Sequence, residues 1–471
     1  MDRQVAWGTV SVGLALGLAL GVWAGLGGPG LTTVRSQILV VWTLAVLIIL
    51  VGLQRSWSIQ HRIDLLHPLV APLGYIALSF LAPLWVTLVA GDPVRALSRE
   101  TPISVNTAAL LGLGVLGYTA GAWCNFSPSR RERASLGPEF ASTLLLVGRC
   151  LVLVPLSIAI RDNLAGGVAI RGLGQLEYTP SDSLHALLGI ASLAAVVTIL
   201  AGQAVKGSTK LLAPLDWVLI VSMILAIGAR GSRSDAVAIM LVLVVAKLSR
   251  RGRLRSLAAG IPVVFAFIVT VLHYRNDQLG RTTDEAPVTI LLGDMSIAAF
   301  TTGATAARVP SSFDYAYGDT LLAGLVRQLP SPISVPLLGP PTDHGAYRFR
   351  QIVGYSNPDG GLGFSIPADG YLNFGAAGVA ILCALIGLLA SWSYPRMDFA
   401  SGSPIGIIYP VLLAIMPFGL RSDFLGFNKN ILYPVLIVGL AMIIARSSGR
   451  KMLGPYRHRR SERDTELVDV D

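Results

Sequence analysis

The feature that most constrains the fold is a series of apolar segments, each close to the length that a helix needs to cross a bilayer. They lie near residues 5–26, 38–53, 66–90, 105–123, 142–160, 184–204, 212–229, 234–248, 257–274, 369–392, 404–420 and 428–445. A transmembrane helix needs about 20 apolar residues, and the first segment is longer than a signal-peptide core. With 53% hydrophobic and 14% charged residues, the chain has too little polar surface for a soluble protein of its size. The sequence therefore predicts an all-α polytopic integral membrane protein with about 12 transmembrane helices.

Clusters of Arg and Lys lie in alternate loops between these segments and in the C-terminal tail. They occur at residues 55–62, 130–133, 206–210, 247–255 and 446–463. Loops rich in these residues stay in the cytoplasm. Twelve spans put every cluster on one side of the membrane, so we expect both termini in the cytoplasm. This asymmetry accounts for the net charge of +10, and no nucleic acid is expected as a partner.

The same topology divides the chain into four parts. They are an N-terminal bundle of about nine transmembrane helices (1–274), one large extracytoplasmic loop (275–368), about three C-terminal transmembrane helices (369–445) and a cytoplasmic basic tail (446–471). Loops as long as 275–368 are usually functional. Within it, residues 289–300 are apolar but too short to span, which indicates an interfacial or re-entrant helix. The tail from residue 457 onward is polar and mixed in charge, and is expected to be disordered.

Two arginines, Arg230 and Arg233, join the seventh and eighth segments at the predicted outer face, where the topology rule depletes cations. The eighth helix begins here, so its free N–H groups add to the positive charge, and Ser232 or Ser234 can cap it. Together these groups suit a phosphate or pyrophosphate. The alternative is a pair of interfacial anchors with Asp235 as ion-pair partner.

The end of the large loop carries a second group of candidate residues. His344 is followed by Arg348 and Arg350 within one short stretch. Histidine suits proton transfer near neutral pH, and arginine suits phosphate or carboxylate. The alternative is an ordinary loop whose polar side chains are solvated.

The start of the tenth segment is the third candidate. Asp369 and Asn373 are four residues apart, which places them on one face of a helix, with Tyr371 on another. The alternative interpretation is a capped helix end, where the negative charge of Asp369 is favourable.

Four further charges require an explanation. Arg421 and Asp423 lie in the tight outer loop between the last two segments, and Arg275 ends the ninth. Arg149 falls inside the fifth segment, so it should face the bundle interior or a wet cavity. The three cysteines form no metal-binding pattern, and the sequence contains no phosphate-binding loop, HExxH or DxD motif. Nucleotide-driven transport and sugar-nucleotide chemistry are therefore not supported.

The residues from Gly360 to Gly378 resemble the end of the large periplasmic loop in polymerases of the Wzy type, which polymerise O-antigen and oligosaccharide repeat units. The stretch from Gly228 to Ser234 is similar to the arginine-containing outer turn of that family. The layout of about a dozen spans with one late outer loop also matches. The chain departs from the family pattern at Asp369, where a Glu is expected.

The resemblance implies a glycosyltransferase that uses polyprenyl-pyrophosphate-linked oligosaccharides on the outer leaflet of the cell membrane and needs no metal or other cofactor. Membrane lipid is a partner, and a chain-length regulator and a flippase are candidate partners. In this interpretation Arg230 and Arg233 stabilise the leaving pyrophosphate, and His344 or Asp369 is the base. The residues expected to bind substrate are Arg275, Arg348, Arg350, Tyr371, Asn373 and Arg421.

Two other classes of protein fit parts of the pattern. A related O-antigen ligase shares the lipid-linked donor but transfers the glycan in a single step. A secondary transporter or flippase for a lipid-linked or anionic substrate would carry charges near the membrane midplane and paired halves. The sequence shows no clear internal repeat, and its polar residues collect at the predicted outer face instead.

Overall fold

The described part of the chain is helical throughout. The computed structural model of the protein describes residues 41, 43–54, 64–90, 105–124, 136–164, 180–229, 233–251, 266–267, 270, 297–329, 344–354 and 363–465. Its α-helices are α1 (Thr43–Gln54), α2 (Ala71–Ala90), α3 (Val105–Ala122), α4 (Pro138–Leu164), α5 (Pro180–Val205), α6 (Pro214–Ala229), α7 (Arg233–Arg251), α8 (Ile297–Arg308), α9 (Asp319–Val326), α10 (Gly345–Val353), α11 (Ile366–Ser393), α12 (Ile408–Gly419) and α13 (Phe424–Thr465). The predicted span at 5–26 and most of that at 257–274 lie outside the described residues.

Several of these helices have the character of membrane spans. Four are long and apolar enough to cross a bilayer: Pro138–Arg161, Leu188–Val205, Ile366–Arg396 and Phe424–Ser448. Shorter apolar helices run over Thr43–Gln54, Ala71–Phe80, Pro214–Gly228 and Pro404–Gly419. Large apolar side chains remain exposed on their outer faces, among them Val218 on α6 and Leu436 on α13. Lipid rather than water suits such a surface. The predicted all-α membrane architecture is confirmed.

Helix α12 lies between two apolar clusters. Tyr409 and Leu412 pack into the cluster that α1, α2, α3 and α11 form. Val411 and Ile415 pack into the cluster of α4, α5, α6, α7 and α13. A helix that is apolar around its whole circumference is buried on all sides. The chain therefore passes between these two clusters along α12 before it reaches the turn that contains Asp423.

Helices α3 and α11 approach each other through small residues. A Cβ atom on Gly117 would lie 2.3 Å from the carbonyl oxygen of Ala380, and one on Gly121 would lie 1.9 Å from that of Ala384. Small residues four apart allow the backbones of membrane helices to touch in this way. This contact holds the long arm of α11 in place.

Helix α11 is bent back sharply at Phe374 and Gly375. Phe374 has φ −139° and ψ 23°, and Gly375 has φ 62° and ψ −146°, which glycine adopts without steric cost. A Cβ on Gly370 would lie only 2.6 Å from the carbonyl oxygen of Gly378, whereas a straight helix would place these residues about 12 Å apart. The short arm 366–373, which carries Asp369 and Asn373, therefore folds back against the long arm.

The structure changes three expectations about the C-terminal half. The helix expected at 289–300 is described from Ile297 and runs on to Arg308, and α9 and α10 add regular structure to the predicted loop. Helix α11 begins at Ile366 rather than at residue 369. The expected disorder from residue 457 is wrong as far as Thr465, because α13 continues to that residue. Arg, Lys and Glu are good helix formers, and extending an existing helix needs no new nucleation.

The charge inside the fifth predicted span is paired. The Arg149 Nε donates to Asp216 Oδ1 at 2.8 Å, and the Gln203 amide donates to Asp216 Oδ2 at 2.7 Å. Asp216 is fully buried and joins α4, α5 and α6 at one level. Arg149 therefore faces the bundle interior, as the cost of an unpaired charge in a membrane predicts.

Candidate functional site

The N-terminal ends of α9, α10, α11 and α13 meet around two aspartates, Asp369 and Asp423. Asp369 lies in the first turn of α11 and accepts a hydrogen bond from the backbone N–H of Phe424, the first residue of α13, at 2.9 Å. Asp423 precedes α13 and accepts from the N–H of Gly426 at 2.9 Å and, across the site, from that of Ala346 in α10 at 3.3 Å. Because helix N-termini attract negative charge, the two carboxylates bind these helices together.

Asp369 is fully buried within a network of hydrogen bonds. Its Oδ1 accepts from the Thr320 hydroxyl of α9 at 2.7 Å and from the Asn373 amide at 3.1 Å. The Asn373 Oδ1 in turn accepts from the N–H of Gly318 at 2.9 Å. A Cβ on Gly345 would lie 2.7 Å from Asp369 Oδ1, so α10 covers the carboxylate closely. Through these contacts the Asp369 carboxylate holds the surrounding helices in position.

His344 is held by Asp423 and is more accessible than Asp369. The His344 Nδ1 lies 2.6 Å from Asp423 Oδ2, and the two side chains are 22% and 9% exposed. A carboxylate can only accept, so the neutral imidazole carries its proton on Nδ1 and its lone pair on Nε2. Among the described residues, Nε2 makes no hydrogen bond. An oriented imidazole with an available lone pair can take a proton from a substrate hydroxyl.

Asp423 keeps its negative charge despite its burial. Burial alone would raise the pKa of Asp423, but the hydrogen bond and charge of His344, with the N–H groups of Gly426 and Ala346, hold that pKa below its ordinary value. Asp423 is therefore ionised at neutral pH and stabilises the imidazolium that forms when His344 takes up a proton.

Three cations lie around the start of α13. Arg327 follows the C-terminal end of α9 and is 5% exposed. Lys429, one turn into α13, is half-buried and is close enough to Arg327 and Asp423 to interact with both charges. Arg421 is partly buried and precedes Asp423 by two residues. Cations gathered in this way suit a substrate with several negative charges.

Some of the sequence-predicted residues come together and others do not. His344, Asp369 and Asn373 surround Asp423 and the start of α13, with Arg421 in the same turn. On α10, Arg348 is exposed and Arg350 is half-buried. Tyr371 is not part of the Asp369 network: its ring lies 6.2 Å from that of Tyr315.

The predicted arginine turn is described only in part. Arg230 and Arg275 lie outside the described residues. Arg233 is the first residue of α7, so Ser234 lies within the helix and is not its cap. The Asp235 carboxyl group packs against Gly189, where an added Cβ would lie 2.3 Å from its Cγ.

Sequence reasoning missed Thr320, Arg327 and Lys429. The depletion of cations at the predicted outer face, which singled out Arg230, applies equally to Arg327 in the large loop and to Lys429 at the start of the last segment. No sequence signal points to Thr320, because its contact with Asp369 joins residues 49 positions apart.

The fold and the site together define a multi-pass helical membrane protein with a charged site where several helices begin. A family model, that of the O-antigen polysaccharide polymerase Wzy, matches residues 177–451. This stretch is more than half of the chain and includes both aspartates, His344 and the three cations. The chain belongs to the O-antigen polysaccharide polymerase Wzy family, so the predicted resemblance is confirmed. No match was found among curated proteins or among solved structures.

Proposed function

We propose that the protein is a glycosyltransferase that polymerises polyprenyl-pyrophosphate-linked oligosaccharide repeat units into a cell-surface polysaccharide at the outer leaflet. Membership of a family of membrane polysaccharide polymerases supports the reaction class. The observation that carries the chemistry is the contact of His344 with Asp423 beside three cations. The proposal places both termini in the cytoplasm and the site on the outer side.

The reaction joins a growing chain to a new repeat unit. A hydroxyl oxygen of the incoming unit attacks the anomeric carbon that links the growing chain to its carrier. The bond between that carbon and the pyrophosphate oxygen breaks, and the polyprenyl pyrophosphate leaves with the bonding electrons. The hydroxyl proton passes to His344 Nε2, which Asp423 orients through Nδ1. The step requires neither a metal nor a nucleotide.

Positive charge stabilises the leaving group. We infer that Arg327, Lys429 and Arg421 stabilise the negative charge that develops on the pyrophosphate, because fixed cations in a partly buried site act strongly on such charge. Arg230 and Arg233 are proposed to bind the same group from the start of α7. Arg275, Arg348 and Arg350 are proposed to bind the pyrophosphate of the second substrate.

Asp369 and Asn373 have a positioning role in this proposal. Asp369 is the other candidate base, but its carboxylate is fully buried and accepts hydrogen bonds from Thr320, Asn373 and Phe424. A base must reach the proton that it removes, which favours His344. The ring of Tyr371 lies 6.2 Å from that of Tyr315, and Tyr371 is not part of the proton-transfer pair.

The experiment is an analysis of lipid-linked glycans, resolved by size, from cells in which the gene is deleted. The proposal expects single repeat units to accumulate on the carrier and the long polymer to disappear. Intact long polymer that remains on its carrier would show a ligase instead. An unchanged profile would exclude both and favour a transporter. Expression of the His344→Gln variant in the deletion strain should not restore the long polymer.

A further inference from the structure

Three aromatic side chains lie together beside the bend of α11. Tyr317 and Phe374 are 74% and 47% exposed. Tyr315 lies half-buried behind them, with its ring 6.1 Å from that of Tyr317. We call these three residues the aromatic platform. Neither Tyr317 nor Phe374 belongs to an apolar cluster, so packing within the protein does not explain why their rings point outward.

The backbone at Tyr317 is unusual. Tyr317 has φ 46°, a left-handed conformation that is rare for a bulky residue. Strain of this kind persists where the surrounding structure enforces it, and it clusters at ligand sites. The Tyr317 ring is 74% exposed, so burial of the ring does not account for the strained backbone. Phe374, at the bend of α11, exposes a second ring.

The platform is attached to the proposed active site. Gly318 follows Tyr317, and its N–H donates to Asn373 Oδ1 at 2.9 Å. A Cβ on Gly318 would lie 3.4 Å from the ring of Phe374, so that ring lies against the residue that donates to Asn373. Ala316 donates its N–H to the carbonyl oxygen of Leu372 at 2.9 Å. A ligand on the platform would therefore lie next to the network of Asp369 and Asn373.

The charges around the platform favour a sugar over an anionic lipid headgroup as its ligand. Asp314 and Asp319, which lie within two residues of Tyr317 or Tyr315 in sequence, are exposed, and residues 309–326 contain no Lys or Arg. An anionic membrane surface attracts basic rather than acidic segments. A sugar ring, in contrast, offers C–H groups to the negative face of an aromatic ring and hydroxyl donors to carboxylates.

The geometry points to a glycan subsite, in which the aromatic platform binds an uncharged sugar residue of the repeat unit beside His344 and Asp423. The inference rests on the proposed function for the identity of the glycan. The sugar stacks on Tyr317 and Phe374, and its hydroxyls donate to Asp314 or Asp319. The platform thereby holds the glycan next to the reacting groups while the cations hold the pyrophosphate.

The test measures binding of a lipid-free, phosphate-free oligosaccharide to the full chain in nanodiscs by saturation-transfer NMR. The probe is one repeat unit released from the host polysaccharide by mild acid. Tyr317→Gly removes the ring, and glycine suits the left-handed backbone, so this variant should melt no lower than wild type. We expect its dissociation constant to rise roughly two- to tenfold. Tyr317→Trp should retain binding, and Trp217→Leu, which removes another exposed ring, should leave it unchanged.

Two results would overturn the inference. One is a folded Tyr317→Gly variant that binds the oligosaccharide as wild type does, and the other is a wild-type protein that shows no saturation transfer. Either result can occur while deletion of the gene still abolishes the polymer. The proposed polymerase function would then be supported, and the proposed glycan subsite would be refuted. Conversely, Tyr317-dependent binding in a protein whose deletion leaves the glycan profile unchanged would support the platform and refute the polymerase.

Discussion

Replacing Asp423 with Asn keeps the shape of the side chain but changes its hydrogen bonds. In the wild type, Oδ2 accepts from His344 Nδ1 at 2.6 Å and from Ala346 N–H at 3.3 Å, and Oδ1 accepts from Gly426 N–H at 2.9 Å. In Asp423→Asn the amide oxygen can still accept from Gly426, which leaves the NH₂ group facing two donors. The imidazole then moves its proton to Nε2, so that Nδ1 can accept from the amide.

The activity of Asp423→Asn should fall far more than its stability. A protonated Nε2 cannot take the proton of the acceptor hydroxyl, and general base catalysis contributes roughly 10²- to 10⁴-fold. We expect the polymerisation rate to fall by a factor in that range. The Ala346 N–H loses a charged acceptor, which should cost about 1–3 kcal/mol of folding free energy.

The assay follows consumption of lipid-linked repeat units by purified protein in nanodiscs, with products separated by size. A matched control is Asp398→Asn, in the connection between α11 and α12, where the carboxylate accepts from Ala400 N–H at 2.9 Å. The polymerisation rate of this control should be within about twofold of wild type, since the Asp398 carboxylate contacts no reacting group. A folded Asp423→Asn protein that also polymerises within a few-fold of wild type would refute the assigned role of the pair.

Three further predictions concern stability. Gly121→Ala should lower the free energy of unfolding by roughly 1–3 kcal/mol, because its Cβ would lie 1.9 Å from a backbone oxygen. In the control Gly137→Ala, the added Cβ would have no neighbour within 4 Å, so thermal melts should show unchanged stability. Arg149→Met should cost about 1–3 kcal/mol because it removes a charged partner of buried Asp216, and adding Asp216→Asn should recover part of that loss. The pKa of Asp423 is lowered in the folded state, so the stability that its carboxylate adds relative to Asp423→Asn should shrink as pH falls below about 4 and through that lowered pKa. A difference in unfolding free energy that grows over that range would contradict the sign.

The helices could be predicted from sequence because membrane spans have a simple requirement. Apolar length alone located α4, α5 and α11 as a whole to within a few residues. The bend at Phe374 and Gly375 could not be predicted in the same way. Gly is common in membrane helices, and only the contact between Gly370 and Gly378 shows that the short arm turns back.

The site was predictable in its residue types but not in its partnerships. His344, Asp369 and Asn373 stood out as polar residues at the predicted outer face, and Asn373 does bond to Asp369 at the spacing of one helical turn. The contact of His344 with Asp423 joins residues 79 positions apart, and no local pattern encodes it. Assigning His344 rather than Asp369 as the base therefore required the burial and hydrogen bonds of both side chains.

The most direct test of the proposed polymerase is to give the purified full chain only lipid-linked single repeat units in nanodiscs and to resolve the products by size. The proposal predicts a ladder of extended chains on the carrier for the wild type, and unchanged starting material for His344→Gln. An equal ladder from the two proteins would contradict the assignment of the base at the His344–Asp423 pair. The absence of any extension by folded wild-type protein would contradict the polymerase itself.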